Sequence, residues 1–133
     1  MSTTNLPPNH LRSVSASIYL VEKTIDELEK MLTQSKPHFS YETVNDIDDS
    51  EKEKLLQSIE QTRAFIAELM RKYSLNREVA YMSRILNARK SRMWEILGDT
   101  TSKRMKGYGK LSGETAAELD RDINKLTGLI GLL

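Results

Sequence analysis

The chain has 133 residues, with 20 basic side chains, 19 acidic ones and no cysteine. A domain of this length buries roughly two-thirds of the surface that its unfolded chain exposes, so we expect one domain that is stable without cross-links. The lack of cysteine excludes disulfides, thiolate catalysis and cysteine-ligated metal sites.

The first nine residues are polar, contain two prolines and have no apolar run. They have the features of neither a secretory signal nor a transit peptide, so we expect residues 1–9 to be extended or disordered and the protein to be cytoplasmic. No stretch of the sequence approaches the length of about 18 consecutive apolar residues that a membrane span requires.

Apolar residues then recur at alternating intervals of three and four, the spacing of one helix face. This pattern predicts a first helix over residues 10–35, with Asn9 as its N-cap and Pro37 beyond its end. The members of the stripe are Leu11, Val14, Ile18, Val21, Ile25, Leu28 and Leu32.

Residues 36–50 show no sustained period and contain four acidic residues, which predicts an acidic crossover loop. A second helix is expected over residues 50–73, capped by Asp49 or Ser50. Acidic side chains in its first turn favour this start, because the N-terminal end of a helix is electropositive.

No glycine or proline occurs between residues 50 and 97, so one long helix through this region is an alternative. The stripe of the second helix stops at Tyr73, because polar Asn76 occupies its next position. We therefore predict a break, with Asn76 as the N-cap of a third helix over residues 77–97 that ends at Gly98.

Ser112 is the expected N-cap of a fourth helix over residues 113–131. Each of the four helices carries an apolar stripe that must be buried against others. We predict an all-α fold, an antiparallel four-helix bundle of residues 10–133 with up-and-down topology preferred. The two long connections leave other threadings open.

Motifs for chemistry are absent from the sequence. The two histidines, His10 and His38, lie near opposite ends of the first helix, and neither belongs to the Glu-x-x-His pattern of a di-metal bundle. There is no phosphate-binding glycine loop, serine-nucleophile elbow or His-Glu-x-x-His helix. We expect a non-enzymatic protein with no metal and no cofactor.

The charges are unevenly distributed along the chain. Between Arg71 and Lys110 there are eleven basic side chains and three acidic ones, a net charge of +8, and the rest of the chain carries −7. A chain of this kind can bind an acidic partner with its basic region, or its acidic loop can neutralise that region within the fold or within a dimer.

The leading hypothesis is protein–protein association, as a homodimer or as an adaptor. Trp94 points about 100° away from the stripe of the third helix, and tryptophan and arginine are enriched at binding hot spots. Apolar residues off the stripes, such as Leu20 and Leu129, indicate a second buried surface, for which a symmetric dimer is the simplest source. The candidate contact residues are Arg84, Arg92, Trp94 and Tyr108.

The alternative hypothesis is a nucleic-acid-binding module. It uses a basic edge of the third helix, formed by Arg77, Arg84 and Arg92, together with the segment of residues 103–110. In that segment Tyr108, between two glycines, can stack on a base. The cations of the segment are Lys103, Arg104, Lys106 and Lys110. The competing interpretation is structural. The three arginines then form a solvated flank that makes salt bridges to neighbouring helices. Residues 103–110 form a flexible turn whose tyrosine packs on the end of the bundle.

Arg63 and Arg89 lie within or beside apolar stripes. A cation there is expected to pair with a carboxylate such as Glu22, because an unpaired buried charge is costly. A binding site for an anionic small ligand between the helices is the sharper alternative.

Overall fold

The computed structural model describes residues 4–34 and 36–133, and within them the secondary structure is entirely helical. The four α-helices are α1 (Pro8–Thr33), α2 (Asp49–Lys72), α3 (Met82–Gly98) and α4 (Gly113–Ile130), and a short 3₁₀ helix covers Lys106–Tyr108. The all-α prediction with four helices is confirmed. The chain divides into two compact units, Met1–Glu78 and Val79–Leu133, and the single four-helix bundle of residues 10–133 stays a prediction.

In the first unit, α1 and α2 form an antiparallel pair. Arg63 of α2 reaches Asp26 and Glu29 in the second half of α1. Residues 76–78, which follow α2, line a shallow depression together with residues at the start of α1. Ile59 and Ile66 of α2, with Leu75 beyond its end, are the buried residues among those that the structure describes.

The start of α1 differs from the prediction. The helix begins at Pro8, and Asn9 lies inside it instead of capping it. The reason is that a proline ring fixes φ near the helical value and lacks the N–H group that a first-turn residue leaves unpaired. The helix ends at Thr33, before Pro37, with the Gln34 N–H donating to the Lys30 carbonyl. The parts of the predictions that fall on residues 1–3 and 35 lie outside the described residues.

The cap of α2 is Asp48, and not Asp49 or Ser50 as predicted. Its carboxylate accepts a hydrogen bond of 2.8 Å from the Glu51 N–H. Asp49 and Glu51 stand in the first turn, where the expected acidic side chains complement the positive end of the helix dipole.

The break after α2 is confirmed, and the single long helix is wrong. Ser74 adopts a left-handed φ of 52°, its N–H donates to the Arg71 carbonyl, and the Leu75 N–H donates to the Met70 carbonyl at 2.9 Å. This pair of bonds is a Schellman motif, which usually has glycine at the left-handed position. It turns the chain out of the helix and buries Leu75.

The predicted third helix over residues 77–97 is wrong at its start. Residues 75–81 are not helical, and α3 begins at Met82 after Tyr81, which makes no side-chain cap. Asn76 does not cap it, because the turn at Ser74 sends residues 76–78 alongside the start of α1 instead.

In the second unit, α3 and α4 are also antiparallel. Trp94 of α3 meets Thr127 near the end of α4, and Ser102, after α3, meets Asp120 in its first half. Gly98 is the last residue of α3, followed by a right-handed residue, so it is not the left-handed stop that the sequence suggested. Ser112 caps α4 as predicted, accepting a hydrogen bond from the Thr115 N–H.

We predict that Ser74→Gly stabilises the protein. Glycine adopts a positive φ without the clash of a Cβ atom, so the free energy of unfolding is expected to rise by about 0.5–1 kcal/mol in urea titrations. The matched control is Ser58→Gly on an exposed position inside α2, which is expected to lower the free energy of unfolding by about 0.5 kcal/mol. A loss of stability in both variants would contradict the strain assigned to Ser74.

Candidate partner-binding surface

Trp94 lies in the contact between α3 and α4. Its Nε1–H donates to the Thr127 carbonyl at 3.2 Å, and its ring lies beside Gly131. Lys90, one turn earlier, has its Nζ 5.9 Å from the centre of the Trp94 ring. The side chain that seemed to point away from the core of α3 therefore helps to hold α4, although it remains 42% exposed.

Lys90 also reaches the end of α4. Its ammonium group donates to the carbonyls of Gly131 and Leu133, at 3.3 and 2.9 Å. Gly131 is the C-cap of α4 and Leu133 follows it, so the ammonium group lies at the negative end of the helix dipole, where a cation is favourable. Lys90 thus binds the C-terminal end of α4 to the middle of α3.

The connection between α3 and α4 is ordered by hydrogen bonds. The N–H groups of Arg104 and Met105 donate to the Thr101 carbonyl, and the Tyr108 N–H donates to the Met105 carbonyl. The Ser102 N–H and hydroxyl both donate to the Asp120 carboxylate, at 2.8 and 2.6 Å. The hydroxyl bond, with the backbone bond second, holds the pKa of Asp120 below its usual value.

The cations of this connection point to solvent. Thr101, Ser102 and Met105 are half-buried, whereas Lys103, Arg104, Lys106 and Lys110 are exposed. Among the described residues, none of these four has a carboxylate within 4.0 Å. Tyr108 is 91% exposed, so it does not pack on a helix end. We call residues 103–110 the basic turn.

The arginines that the sequence grouped into one edge are not all on α3. Arg77 precedes the helix and belongs to the first unit, because α3 begins five residues later than predicted. Arg84 and Arg92 are on α3, about 12 Å apart along its axis. The Arg84 guanidinium lies 5.5 Å from the centre of the Tyr81 ring, and Arg92 makes an exposed ion pair of 3.3 Å with Glu95.

Apolar side chains remain uncovered on both helices of the second unit. On α3, Met82 and Ile96 are 68% and 52% exposed. They share a helix face with half-buried Ile85 and Met93, to one side of Trp94. On α4, Leu126 and Leu129 are 45% and 54% exposed. We call these six residues the open apolar face.

Arg63 forms the expected ion pair between helices, but with other partners. Its guanidinium donates to both carboxylate oxygens of Glu29, at 2.6 and 3.1 Å, and to Asp26 at 2.8 Å, instead of to Glu22. The Glu29 bond, with Asp26 second, raises the pKa of Arg63, and the same bond lowers the pKa of Glu29. Arg89 is exposed. Neither arginine lines the shallow depression beside the start of α1, nor the one lined by Arg92, Glu95, Ile96 and Asp99.

Sequence reasoning missed the contacts made by Lys90 and Asp120. Both are charged residues on helices, which ordinarily face solvent, and their partners are backbone groups or a serine far along the chain. Each side chain reaches its partner only because α3 and α4 pair in antiparallel order. The apolar stripes predict that these helices pack against each other. No sequence pattern predicts the contacts of Lys90 and Asp120.

Within residues 4–34 and 36–133, no group of three histidine or acidic residues is placed to hold a metal ion. In the same residues, no helix is long and apolar enough to cross a bilayer. No protein-family model, curated protein or solved structure matches this chain.

We predict that Arg63→Met lowers the free energy of unfolding at neutral pH, because Asp26 and Glu29 lose their shared cation. The pKa of Glu29 is lowered in the folded protein, so its stabilising contribution is complete above the ordinary value of 4.5 and disappears as the pH falls through the lower folded value. The difference between the variant and the wild type is therefore expected to shrink in acid.

Urea titrations at neutral and acidic pH measure this difference, with Arg71→Met as the matched control on an exposed position of α2. The control is expected to change stability little at either pH. An Arg63→Met difference that is equal at both pH values would show that packing of the side chain, and not the ion pair, is responsible.

Proposed function

We propose that this protein is a non-enzymatic cytoplasmic protein that works through protein–protein association, and that its first partner is a second copy of itself. The observation that carries the proposal is the open apolar face. A large apolar surface left in water is unfavourable by roughly 25 cal/mol per Å², so such a face favours a partner that covers it.

The second unit has little core of its own. Across Val79–Leu133 no residue is buried, although the helices carry leucine, isoleucine, methionine and tryptophan side chains. A hairpin of two helices offers each helix a single neighbour, and that neighbour covers only part of its stripe. Association through this unit therefore adds a core where the pair alone lacks one.

A second copy fits this surface for two reasons. In a twofold dimer the same face meets itself, so no other apolar surface needs to exist. The two helices that carry the face differ in charge, with a net charge of +3 on α3 and −2 on α4. A twofold contact that sets α3 of one copy against α4 of the other therefore pairs opposite charges, and this complementarity steers association.

One exposed arginine lies beside the open apolar face. Around α3, Arg92 is about 40° from Ile96, whereas Arg84 is about 120° from it, and arginine is enriched at interfaces. Trp94, which holds α4, sets the distance between the two helices that carry the face. In this proposal Trp94 positions the surface, while Arg92 contacts the partner at the edge of the face.

The proposal predicts a dimer of twice the chain mass by light scattering at micromolar concentrations. Replacing Ile96 and Leu129 together by glutamate is expected to give a monomer, because a buried unpaired carboxylate on each side opposes the interface. Both side chains are more than half exposed, so the helix content by circular dichroism is expected to stay at the wild-type level.

The matched control replaces Phe39 and Val44 by glutamate. These are exposed apolar residues of the loop between α1 and α2, and the substitution changes the net charge equally. The control is expected to remain dimeric. A wild-type protein that is monomeric at all concentrations would overturn the homodimer, and a dimer that survives the first pair of substitutions would place the interface elsewhere.

A further inference from the structure

The basic turn differs from an ordinary charged loop in three respects. Its cations lack carboxylate partners among the described residues, its backbone is held by successive hydrogen bonds, and it displays an aromatic ring in solvent. The turn is therefore already shaped before any partner arrives, so little conformational entropy remains to be lost on binding.

Asp120 anchors the turn to α4. Its two carboxylate oxygens accept hydrogen bonds from the N–H and the hydroxyl of Ser102. Ser102 directly precedes Lys103 and Arg104 in the chain. Met105 in the turn, and Thr101 and Ser102 just before it, are half-buried, whereas the cations are exposed. The half-buried contacts thus orient the exposed charges.

Tyr108 extends from the same turn. It follows Gly107, and Gly109 after it adopts a φ of 126°, a conformation that side chains rarely allow. Lys106 and Lys110 stand two residues before and two residues after the ring. A flat aromatic surface between cations is the combination with which proteins bind single-stranded nucleic acid, the cations contacting phosphates and the ring stacking on a base.

We propose that the basic turn binds single-stranded nucleic acid. Lys103, Arg104 and Lys106 contact phosphates, and Tyr108 stacks on a base. An acidic protein segment would also satisfy the cations, but it offers no flat group to the exposed ring. A duplex would satisfy the cations too, but its bases are stacked on one another and leave none for Tyr108. The proposal is independent of the homodimer, because the residues that contact the nucleic acid all lie in one connection of one chain.

The test uses the full-length chain and a fluorescently labelled oligothymidylate of roughly 15 nucleotides, the upper end of typical site sizes. Anisotropy titrations from about 50 to about 200 mM salt give the affinity and its salt dependence. We expect binding to the single strand that is tighter than binding to a duplex of the same length, with poly-glutamate as a weak competitor.

Removing three cations, as Lys103→Gln, Arg104→Gln and Lys106→Gln together, is expected to weaken binding at least about tenfold and to reduce the slope of log affinity against log salt by about 2. The matched control removes three exposed cations elsewhere, as Lys23→Gln, Arg121→Gln and Lys125→Gln. The control is expected to keep most of the affinity and of the slope, although its change in net charge is the same.

Tyr108→Ala is expected to weaken binding about tenfold through lost stacking, without a change in the salt slope, whereas Tyr108→Phe keeps the affinity. Tyr41→Ala, at another exposed tyrosine, is the control and is expected to bind normally. Binding that is absent at low salt would overturn the proposal. Equal binding of duplex and single strand, with no effect of Tyr108→Ala, would show an unspecific attraction of charges and would also overturn it.

Asp120 is a positioning residue in this proposal. Its role can be tested because loss of its negative charge and loss of its hydrogen bonds have opposite effects on binding. Removing an acidic group near a polyanion site strengthens binding if charge alone matters. Asp120→Asn is nevertheless expected to weaken binding and to lower the salt slope, because the turn loses its anchor. Asp122→Asn, on the exposed side of the same helix, is the charge-matched control. Tighter binding by Asp120→Asn would show that the anchor does not orient the cations.

Discussion

The structure is governed by how little apolar surface two paired helices can bury between them. Within each unit a helix has one helical neighbour, and one neighbour covers only a part of an apolar stripe that spans 100° or so of the helix surface. In the first unit this contact still buries Ile59 and Ile66. In the second unit it buries no residue fully, and the apolar side chains that remain in water are what favours association.

Polar contacts fix the pairing where packing alone is weak. Arg63 joins α2 to two carboxylates of α1, and Lys90 and Trp94 join α3 to the end of α4. Hydrogen bonds have narrow geometry, whereas apolar contacts tolerate sliding by a turn. A few such bonds therefore determine which turn of one helix lies beside which turn of the other, although each is partly exposed and adds little stability by itself.

The sequence predicts the helices well and their ends unevenly. Stripe spacing identifies all four helices, and Ser112 is a correct cap because a serine before an acidic first turn satisfies free N–H groups locally. The start of α3 fails because Asn76 is an equally good cap on local grounds. The competing signal, Ser74 in a left-handed turn that buries Leu75, depends on tertiary contact that no local pattern contains.

The sequence predicts which types of residue form the candidate surface, but it does not predict which of them are structural and which are free to contact a partner. Composition identified Trp94 and the cations of residues 103–110, but only the fold separates them. Trp94 and Lys90 hold the helices together, while the basic turn is presented outward by Asp120. A cation whose neighbours are helix carbonyls is structural, and a cation whose neighbours are solvent and an exposed ring is available to a partner. That distinction rests on the antiparallel pairing of α3 and α4, so the same contact that orders the second unit also determines which of its charges a partner can reach.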